Sequence, residues 1–155
     1  MPLAKWQAES SRLAAVIQRQ TRTYRTTPWT GRLKPPVAGR ITSGFGMRRH
    51  PILGGMRMHT GVDIAAPHGT PIRASGDGVV IDTGWHSGYG QTIIISHGGN
   101  LSTLYAHCSS ISAREGQKVK QGDVIGRVGA TGLATGPHVH FEVRVNGACV
   151  DPLKY

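Results

Sequence analysis

The chain is poor in several residue types, and each shortage narrows the class of protein. Only 6% of its 155 residues are aromatic, it has two cysteines, and 8 acidic residues stand against 18 basic ones. Two cysteines permit one disulfide but do not make a disulfide scaffold. No apolar run approaches the length of a membrane-spanning helix. A chain of this length can bury enough apolar surface to fold as one domain without such supports.

Signature motifs of several common protein classes are also missing. The sequence has no HExxH helix, no Walker A loop, no GxSxG elbow and no CxxC zinc pair. Without an HExxH glutamate, acid–base chemistry at a metal site falls to histidine. The first twenty residues contain no continuous apolar core of a secretory signal. We therefore expect either that export is signalled elsewhere or that Met1 begins a piece excised from a longer protein.

What the chain has in abundance is glycine, with 22 residues, and proline, with 9. This composition favours short strands and turns, and the dipeptide Asn146-Gly147 is a strong tight-turn signal. Alternating and apolar runs predict strands at Gly78–Thr83, Thr92–His97, Leu101–His107, Val124–Val128 and Val139–Val145. Because no helical runs lie between these strands, we expect a mainly β fold built on an antiparallel β-sheet.

The pattern differs before Pro35-Pro36. Apolar residues spaced for one helix face predict a short amphipathic helix from Leu3 to Gln20. Residues 21–36 show no clear period and predict an extended linker, although an arm packed on the domain fits equally well. We therefore divide the chain into an N-terminal helix and basic linker arm, 1–36, and a folded domain, 37–155.

The net charge of +10 is concentrated near the N-terminus. Residues 1–40 carry eight basic residues and one acidic residue, whereas residues 41–155 carry ten basic and seven acidic ones. The arm could therefore contact an anionic polymer, including cell-wall polymers, a membrane surface or nucleic acid. No recognition helix or aromatic-basic strand motif is present, so we do not expect nucleic acid as a partner.

The residues best suited to metal binding and acid–base catalysis are mostly histidines. His138 and His140 are separated by one residue in a predicted strand, so their side chains share a face. Such a pair is often only a half-buried strand surface, but His59 and Asp63 supply a further imidazole and a carboxylate. Three ligands with one open position are typical of catalytic zinc, which favours His59, Asp63 and one member of the pair. The remaining histidine and His107, at a predicted strand end, are then suited to acid–base work.

Other histidines and the cysteines carry weaker signals. His50, His68, His86 and His97 all lie beside predicted turns, and we expect surface or loop roles for them. Of the four, His86 is the best candidate to line a substrate groove. Cys108 follows His107 directly and could act as an extra zinc ligand, but a partly buried free thiol is the simpler interpretation.

Three motifs in one order carry a resemblance to a known family. HTGVD, LYAH and TGPHVHFEV, within a match from about Gly39 to Tyr155, resemble the lysostaphin-type (LytM-like) zinc metalloendopeptidases that act on peptidoglycan. The resemblance implies one zinc ion per chain, bound by His59, Asp63 and His140. It also implies that His107 and His138 are catalytic, and that the fold is an antiparallel β-structure with a groove over the metal.

The same resemblance implies a function and a location. It points to hydrolysis of peptide bonds in peptidoglycan stem peptides or cross-bridges, with a lean toward the D,D cross-link, and to the cell envelope. Family members without the metal site act as non-catalytic activators of cell-wall amidases, which is the alternative here. All five positions are filled in this chain, which favours an active enzyme. A third hypothesis is an active enzyme inhibited by residues 1–36 lying in its groove.

Overall fold

A computed structural model describes residues 3–49 and 56–155, with side chains described for residues 7–46 and 58–155. His50, expected in a loop, lies outside the described residues. Helix α1 spans Leu3–Thr23, three residues beyond the predicted end. The strands are β1 (Arg40–Ser43), β2 (Gly46–Arg49), β3 (Met56–His59), β4 (Val62–Ala65), β5 (Pro71–Arg73), β6 (Gly78–His86), β7 (Gly90–Ser96), β8 (Leu101–Ile111), β9 (Lys118–Val119), β10 (Val124–Val128), β11 (His138–Val145) and β12 (Ala148–Val150), followed by a 3₁₀ turn at Pro152–Lys154.

The predicted mainly β, antiparallel fold is confirmed. In the described ranges, ten strands form one sheet, with the order β1-β4-β11-β8-β7-β6-β9 along its main path. Strand β10 pairs with β8 and β5, strand β12 pairs with β11, and β2 and β3 form a separate hairpin. The described part of the chain contains no helix long and apolar enough to cross a membrane.

The long strands match their predictions more closely than the short ones. Each of the five predicted strands lies on β6, β7, β8, β10 or β11, with ends shifted by a few residues. The turn at Asn146-Gly147 joins β11 to β12, with φ angles of 53° and 84° that suit a tight hairpin. Seven short strands, β1 to β5, β9 and β12, were not predicted, because segments of two to four residues contain too few alternations to be recognised.

The central sheet has two apolar faces with different coverings. One face carries a large core that includes Ile93, Ile95 and Tyr105. The opposite face, here called the helix face, buries Leu13 and Ile17 of α1 against a second cluster on β6, β7 and β8. Helix α1 therefore packs on the sheet through its apolar side.

The segment after α1 also packs on the sheet. This agrees with the alternative in which the arm packs on the domain and is not a free linker. The Trp29 amide donates to the His97 carbonyl at 2.7 Å, and the Lys34 amide donates to the Ser75 carbonyl at 3.0 Å. Backbone hydrogen bonds of this kind fix an extended segment without regular structure. The arm thus continues from α1 along the β7 end of the sheet.

Gly61 fixes the geometry of the turn between β3 and β4. A Cβ atom at Gly61 would overlap the carbonyl oxygen of Phe141 on β11 and lie 2.9 Å from the carbonyl carbon. We expect Gly61→Ala to lower the free energy of unfolding by about 1–3 kcal/mol, because backbone cannot move aside as a side chain can. Urea denaturation measures this, with Gly136→Ala as control, since a Cβ there meets nothing within 4 Å. Equal stability of the two variants would contradict the packing described here.

Candidate metal centre

Three strands bring the predicted ligands together. His59 ends β3, and Asp63 follows on β4 after the tight turn at Gly61. Strand β11 pairs antiparallel with β4, and its register places His140 directly opposite Asp63. The side chains of directly opposed residues in a sheet lie close together on one face. The HxxxD spacing and the second histidine of the late pair therefore converge through sheet register.

The three side chains form a compact set of potential ligands. His59 Nε2 lies 3.4 Å from Asp63 Oδ2, and His140 Nδ1 lies 2.9 Å from Asp63 Oδ1. One ligand atom from each residue lies within 4.8 Å of the other two. Zinc bonds of about 2.0–2.2 Å to nitrogen and oxygen require ligand atoms at this kind of separation. The arrangement could hold a metal ion.

Hydrogen bonds at the far side of each ring leave the inner nitrogens available. His59 Nδ1 is 2.7 Å from the Gly44 carbonyl, which can only accept, so the ring donates there and Nε2 carries the lone pair. His140 Nε2 is 2.9 Å from Glu142 Oε2, so donation to this carboxylate leaves Nδ1 facing Asp63. Outer hydrogen bonds that fix the tautomer are typical of metal-binding histidines. The donor set therefore fits a zinc ion.

Asp63 is held as a carboxylate by its surroundings. Burial alone would raise its pKa, but when the His140 and His59 rings are protonated, their hydrogen bonds to the carboxylate and their positive charge lower the pKa well below its usual value. An ionised carboxylate is the form that binds a metal ion.

His107 and His138 lie beside these three residues. Their ring centroids are 4.8 Å apart, and His138 Nε2 lies 3.8 Å from Asp63 Oδ1. Each ring donates its Nδ1 proton to a backbone carbonyl, His107 to Thr131 at 2.6 Å and His138 to Gly136 at 2.8 Å. Both rings therefore keep Nε2 as the nitrogen that can accept a proton. The two rings are thus oriented in the same way, each by an Nδ1–H bond to a backbone carbonyl, and they lie next to each other.

The protonation of His107 is set by its position. Burial lowers the pKa of His107 to about 3, and the nearby His140 and His138 rings contribute in the same direction. The neutral ring is thus the form present at neutral pH, and a neutral imidazole can accept a proton.

A bulge in β8 brings His107 to this face. Between the pairs Gln91↔Cys108 and Ile93↔Tyr105, strand β8 has one residue more than β7. His107 adopts a φ of 64°, in the left-handed region that few residues other than glycine occupy. Strict alternation would put His107 on the same face as Tyr105, whereas the bulge returns it to the face of His140.

A family model decides what kind of domain holds this cluster. The model of Peptidase family M23 matches residues 57–152, which is more than half of the chain. The chain belongs to Peptidase family M23. The match includes all five residues of the cluster and excludes the whole of residues 1–36. The resemblance to lysostaphin-type peptidases is therefore confirmed.

Individual M23 relatives agree with this assignment. The chain is 53% identical over 121 residues to DD-carboxypeptidase/endopeptidase Mpg of Neisseria meningitidis serogroup B, a match that covers 78% of this chain and 28% of that protein. A zinc-containing peptidase from Vibrio cholerae superposes with a TM-score of 0.75 at 41% identity, covering 81% of this chain and 40% of that one. The catalytic domain of lysostaphin from Staphylococcus simulans superposes with a TM-score of 0.68 at 34% identity, covering 75% of this chain and 90% of that one. The chain spans about a quarter of the length of the curated relatives it matches.

The other described histidines of the M23 domain do not belong to the cluster. His68 is exposed in a loop, as expected. His97 lies in a turn as expected, yet its side chain is fully buried, with Nδ1 at 2.8 Å from the Asp77 carbonyl. His86 is half-buried at the end of β6, where its Nε2 lies 2.6 Å from Asp82 Oδ2. Its Nδ1 lies 2.8 Å from the Arg12 guanidinium of α1, so His86 contacts the helix on this side.

Neither cysteine matches the role of an extra ligand. Cys108 is buried in the core on the face opposite to the helix face, and burial raises the pKa of its thiol to about 12. The β8 bulge that turns His107 toward the cluster turns Cys108 away from it. Cys149 is half-buried, and both thiols are free.

The hypothesis of inhibition by the arm requires residues 1–36 to lie in the groove over the cluster. The described part of this arm has α1 on the helix face, beside the cluster, with the following segment at the far end of β7. His97, which bonds Trp29, pairs with Leu101, six residues before His107 on β8. At about 3.3 Å per residue along β8, the contact between Trp29 and His97 lies about 20 Å from His107. This contact therefore holds the extended segment away from the cluster.

Sequence reasoning overlooked the group that supports His140. Glu142 is fully buried and accepts hydrogen bonds from Thr60 at 2.6 Å and from Tyr89 at 2.9 Å. The signal was present, because Glu142 continues the two-residue period of His138 and His140 along β11. A glutamate in that series shares their face.

Proposed function

We propose that this M23 domain is a zinc-dependent endopeptidase that hydrolyses a peptide bond in peptidoglycan. The observation that carries the proposal is the cluster of two imidazoles and a carboxylate with two further histidines beside it. Relatives named for DD-carboxypeptidase and endopeptidase activity support the D,D cross-link between stem peptides as the bond that is cut. We accordingly propose the cell envelope as the site of action.

In this proposal His59, Asp63 and His140 hold one zinc ion per chain. Bound zinc acts as a Lewis acid and makes water acidic enough to serve as a nucleophile near neutral pH. Asp63 supplies the negative charge of the ligand set, and the two imidazoles supply neutral donors. Residues 37–155 then form the peptidase domain, and residues 1–36 form an arm attached to it.

His107 and His138 carry the proton chemistry. Each has its Nδ1 proton committed to a backbone carbonyl, so each presents Nε2 to the site. One Nε2 accepts the proton of the attacking water, and a protonated ring can stabilise the oxyanion that develops on the scissile carbonyl. The same proton is then available for the leaving amine.

The alternative function is that of a non-catalytic activator of a cell-wall amidase. A complete ligand set and two free Nε2 atoms support the enzyme instead, because a module that only binds a partner needs neither. A metal-free chain that stimulates an amidase would favour the activator.

Digestion of purified sacculi tests the proposed function. We expect the zinc-loaded chain to release monomeric muropeptides from D,D-cross-linked material, identified by mass spectrometry. The matched control is the same chain treated with a chelator and then reloaded with zinc. Intact cross-links after incubation with the reloaded chain would contradict the proposal.

The exposed side of α1 and the following segment supports contact with an anionic polymer. The described basic side chains of residues 7–40 are all exposed, and apolar residues of α1 occupy the buried side. We expect Arg19→Gln with Arg22→Gln to weaken binding to sacculi about fivefold per charge, with a reduced dependence on salt. Pelleting assays at several salt concentrations measure this. Neutralising the exposed Arg114 and Lys154 instead should have a smaller effect, and equal losses from both pairs would contradict a contact specific to the arm.

A further inference from the structure

His140 lies between two carboxylates that act on different nitrogens. Its Nδ1 faces Asp63 Oδ1 at 2.9 Å, and its Nε2 faces Glu142 Oε2 at 2.9 Å. A neutral imidazole has one N–H, so it can present a lone pair to a metal at Nδ1 only when the proton is on Nε2. Glu142 Oε2, at 2.9 Å, is the closer of two oxygens that face Nε2, and the Thr60 hydroxyl, which itself donates to Glu142, lies at 3.3 Å. The choice of ligand nitrogen thus depends on a residue that does not itself face the metal.

Glu142 is held rigidly although it is fully buried. Its Oε2 accepts from Thr60, Tyr89 and His140, and its Oε1 accepts from Arg144 Nε at 2.8 Å. A buried charge is tolerated when it is paired and its lone pairs are satisfied. These four hydrogen bonds fix the orientation of the carboxylate. Because His140 donates to the same carboxylate, the orientation of its ring is fixed as well.

Helix α1 supplies the next contact outward. The side chain of Arg144 is 2% exposed, and its guanidinium donates to the Ser10 carbonyl at 3.0 Å and the Ser10 hydroxyl at 3.1 Å. Arg144 also donates to the Gly147 carbonyl at 3.0 Å. Leu13, one turn further along α1, is fully buried against the sheet. A segment outside the M23 match thus completes the hydrogen bonding of a buried arginine inside it.

We propose that Glu142 is a positioning residue that presents His140 Nδ1 to the metal, and that α1 takes part in the metal site by holding Arg144 against Glu142 through Ser10. This inference rests on the zinc site of the proposed function and adds to it a role for the N-terminal helix. The chain of contacts runs from Ser10 to Arg144, to Glu142 and to His140. It makes α1 a support of the ligand set.

Zinc affinity of the full chain tests the proposal without reference to peptidase activity. Competition with a chromophoric chelator gives the dissociation constant, and Co²⁺ substitution gives a visible absorption spectrum that reports ligand geometry. We expect Glu142→Gln to raise the zinc dissociation constant about 10–100-fold, the usual effect of losing an outer partner of a metal-binding histidine. We also expect its Co²⁺ spectrum to differ from that of the parent.

Two adjacent serines provide a matched pair for the helix. We expect Ser10→Ala to raise the zinc dissociation constant about two- to fivefold, because it removes one hydrogen bond of Arg144. Ser11→Ala is the control, since Ser11 is exposed, and it should leave the constant unchanged. The serine pair also keeps the proposal testable if Glu142→Gln does not fold.

The outcomes separate this proposal from the metal site itself. Folded Glu142→Gln with parental zinc affinity and Co²⁺ spectrum would overturn the positioning role. Equal affinities of Ser10→Ala and Ser11→Ala would overturn the part played by α1. If His140→Ala binds zinc like the parent, the proposed metal site fails, and this result is distinct from either of the others.

Discussion

Replacing His140 with alanine is expected to remove the zinc ion and the peptidase activity together. His140 is the most buried of the three proposed ligands, with a side chain 2% exposed, and its register on β11 places it directly opposite Asp63. Two remaining ligands leave the ion weakly held, because three protein ligands are the usual set of a catalytic zinc site. Activity should fall to that of the chelator-treated parent. Elemental analysis after dialysis, with muropeptide release on the same sample, measures both quantities.

A histidine variant outside the cluster is the control for this result. His68→Ala alters an exposed loop residue, so its zinc content and activity should match those of the parent. Full zinc occupancy in folded His140→Ala would show that another residue completes the ligand set. His138, whose Nε2 lies 3.8 Å from Asp63 Oδ1, would then be the nearest substitute.

Replacing His138 with alanine should instead leave zinc in place and remove turnover. His138 keeps its Nε2 free for a proton, and general acid–base groups of this kind typically contribute 10²- to 10⁴-fold to the rate. We therefore expect kcat to fall about 10²–10⁴-fold while zinc content remains that of the parent. Steady-state kinetics on a defined cross-linked muropeptide dimer, together with elemental analysis, separates the two effects.

His107→Ala provides a second measurement of the same division of roles. His107 presents the same nitrogen from β8, so its loss should also reduce kcat with zinc retained. A loss of zinc in either variant would place that histidine among the ligands. Parental kcat in either variant would exclude it from the proton chemistry.

The long strands and the ligand motif could be predicted from the sequence because their signals are local. Strands such as Thr92–His97 have enough apolar residues to be recognised from pattern alone. The alternation of His138 and His140 likewise shows that these two side chains share a face. His59 and Asp63 were added because of their residue types and the family resemblance. The choice of His140 over His138 as ligand follows from the family resemblance, and the register that places His140 opposite Asp63 supports it.

The features that could not be predicted depend on contacts distant in sequence. Alternation along β8 would place His107 beside Tyr105, and only the bulge with its φ of 64° reverses this. Alternation along β11 places Glu142 and Arg144 on the face of His140, but Thr60 and Tyr89, which also donate to Glu142, are distant in sequence. The bulge and these two distant contacts have no local signal in the sequence.

For helix α1, the sequence predicted the helix itself but not the surface on which it packs. Its amphipathic pattern predicted a helix, and the observed helix covers that range and three residues more. The surface that its apolar side covers is set by the sheet, where Leu13 and Ile17 meet residues of β6, β7 and β8. Its polar contact with Arg144 follows from that docking. A helix that the sequence alone sets apart from the folded domain is thus packed on the sheet beside the candidate metal centre.

The division of the five-residue cluster into three ligands and two proton carriers is tested most directly by locating the metal. Crystals of the zinc-loaded chain, measured on both sides of the zinc absorption edge, give an anomalous difference map. We predict one peak per chain, bonded to His59 Nε2, a carboxylate oxygen of Asp63 and His140 Nδ1, with neither His107 nor His138 within bonding distance. A peak bonded to His107 or His138, or no peak at this cluster in a zinc-loaded crystal, would contradict the account.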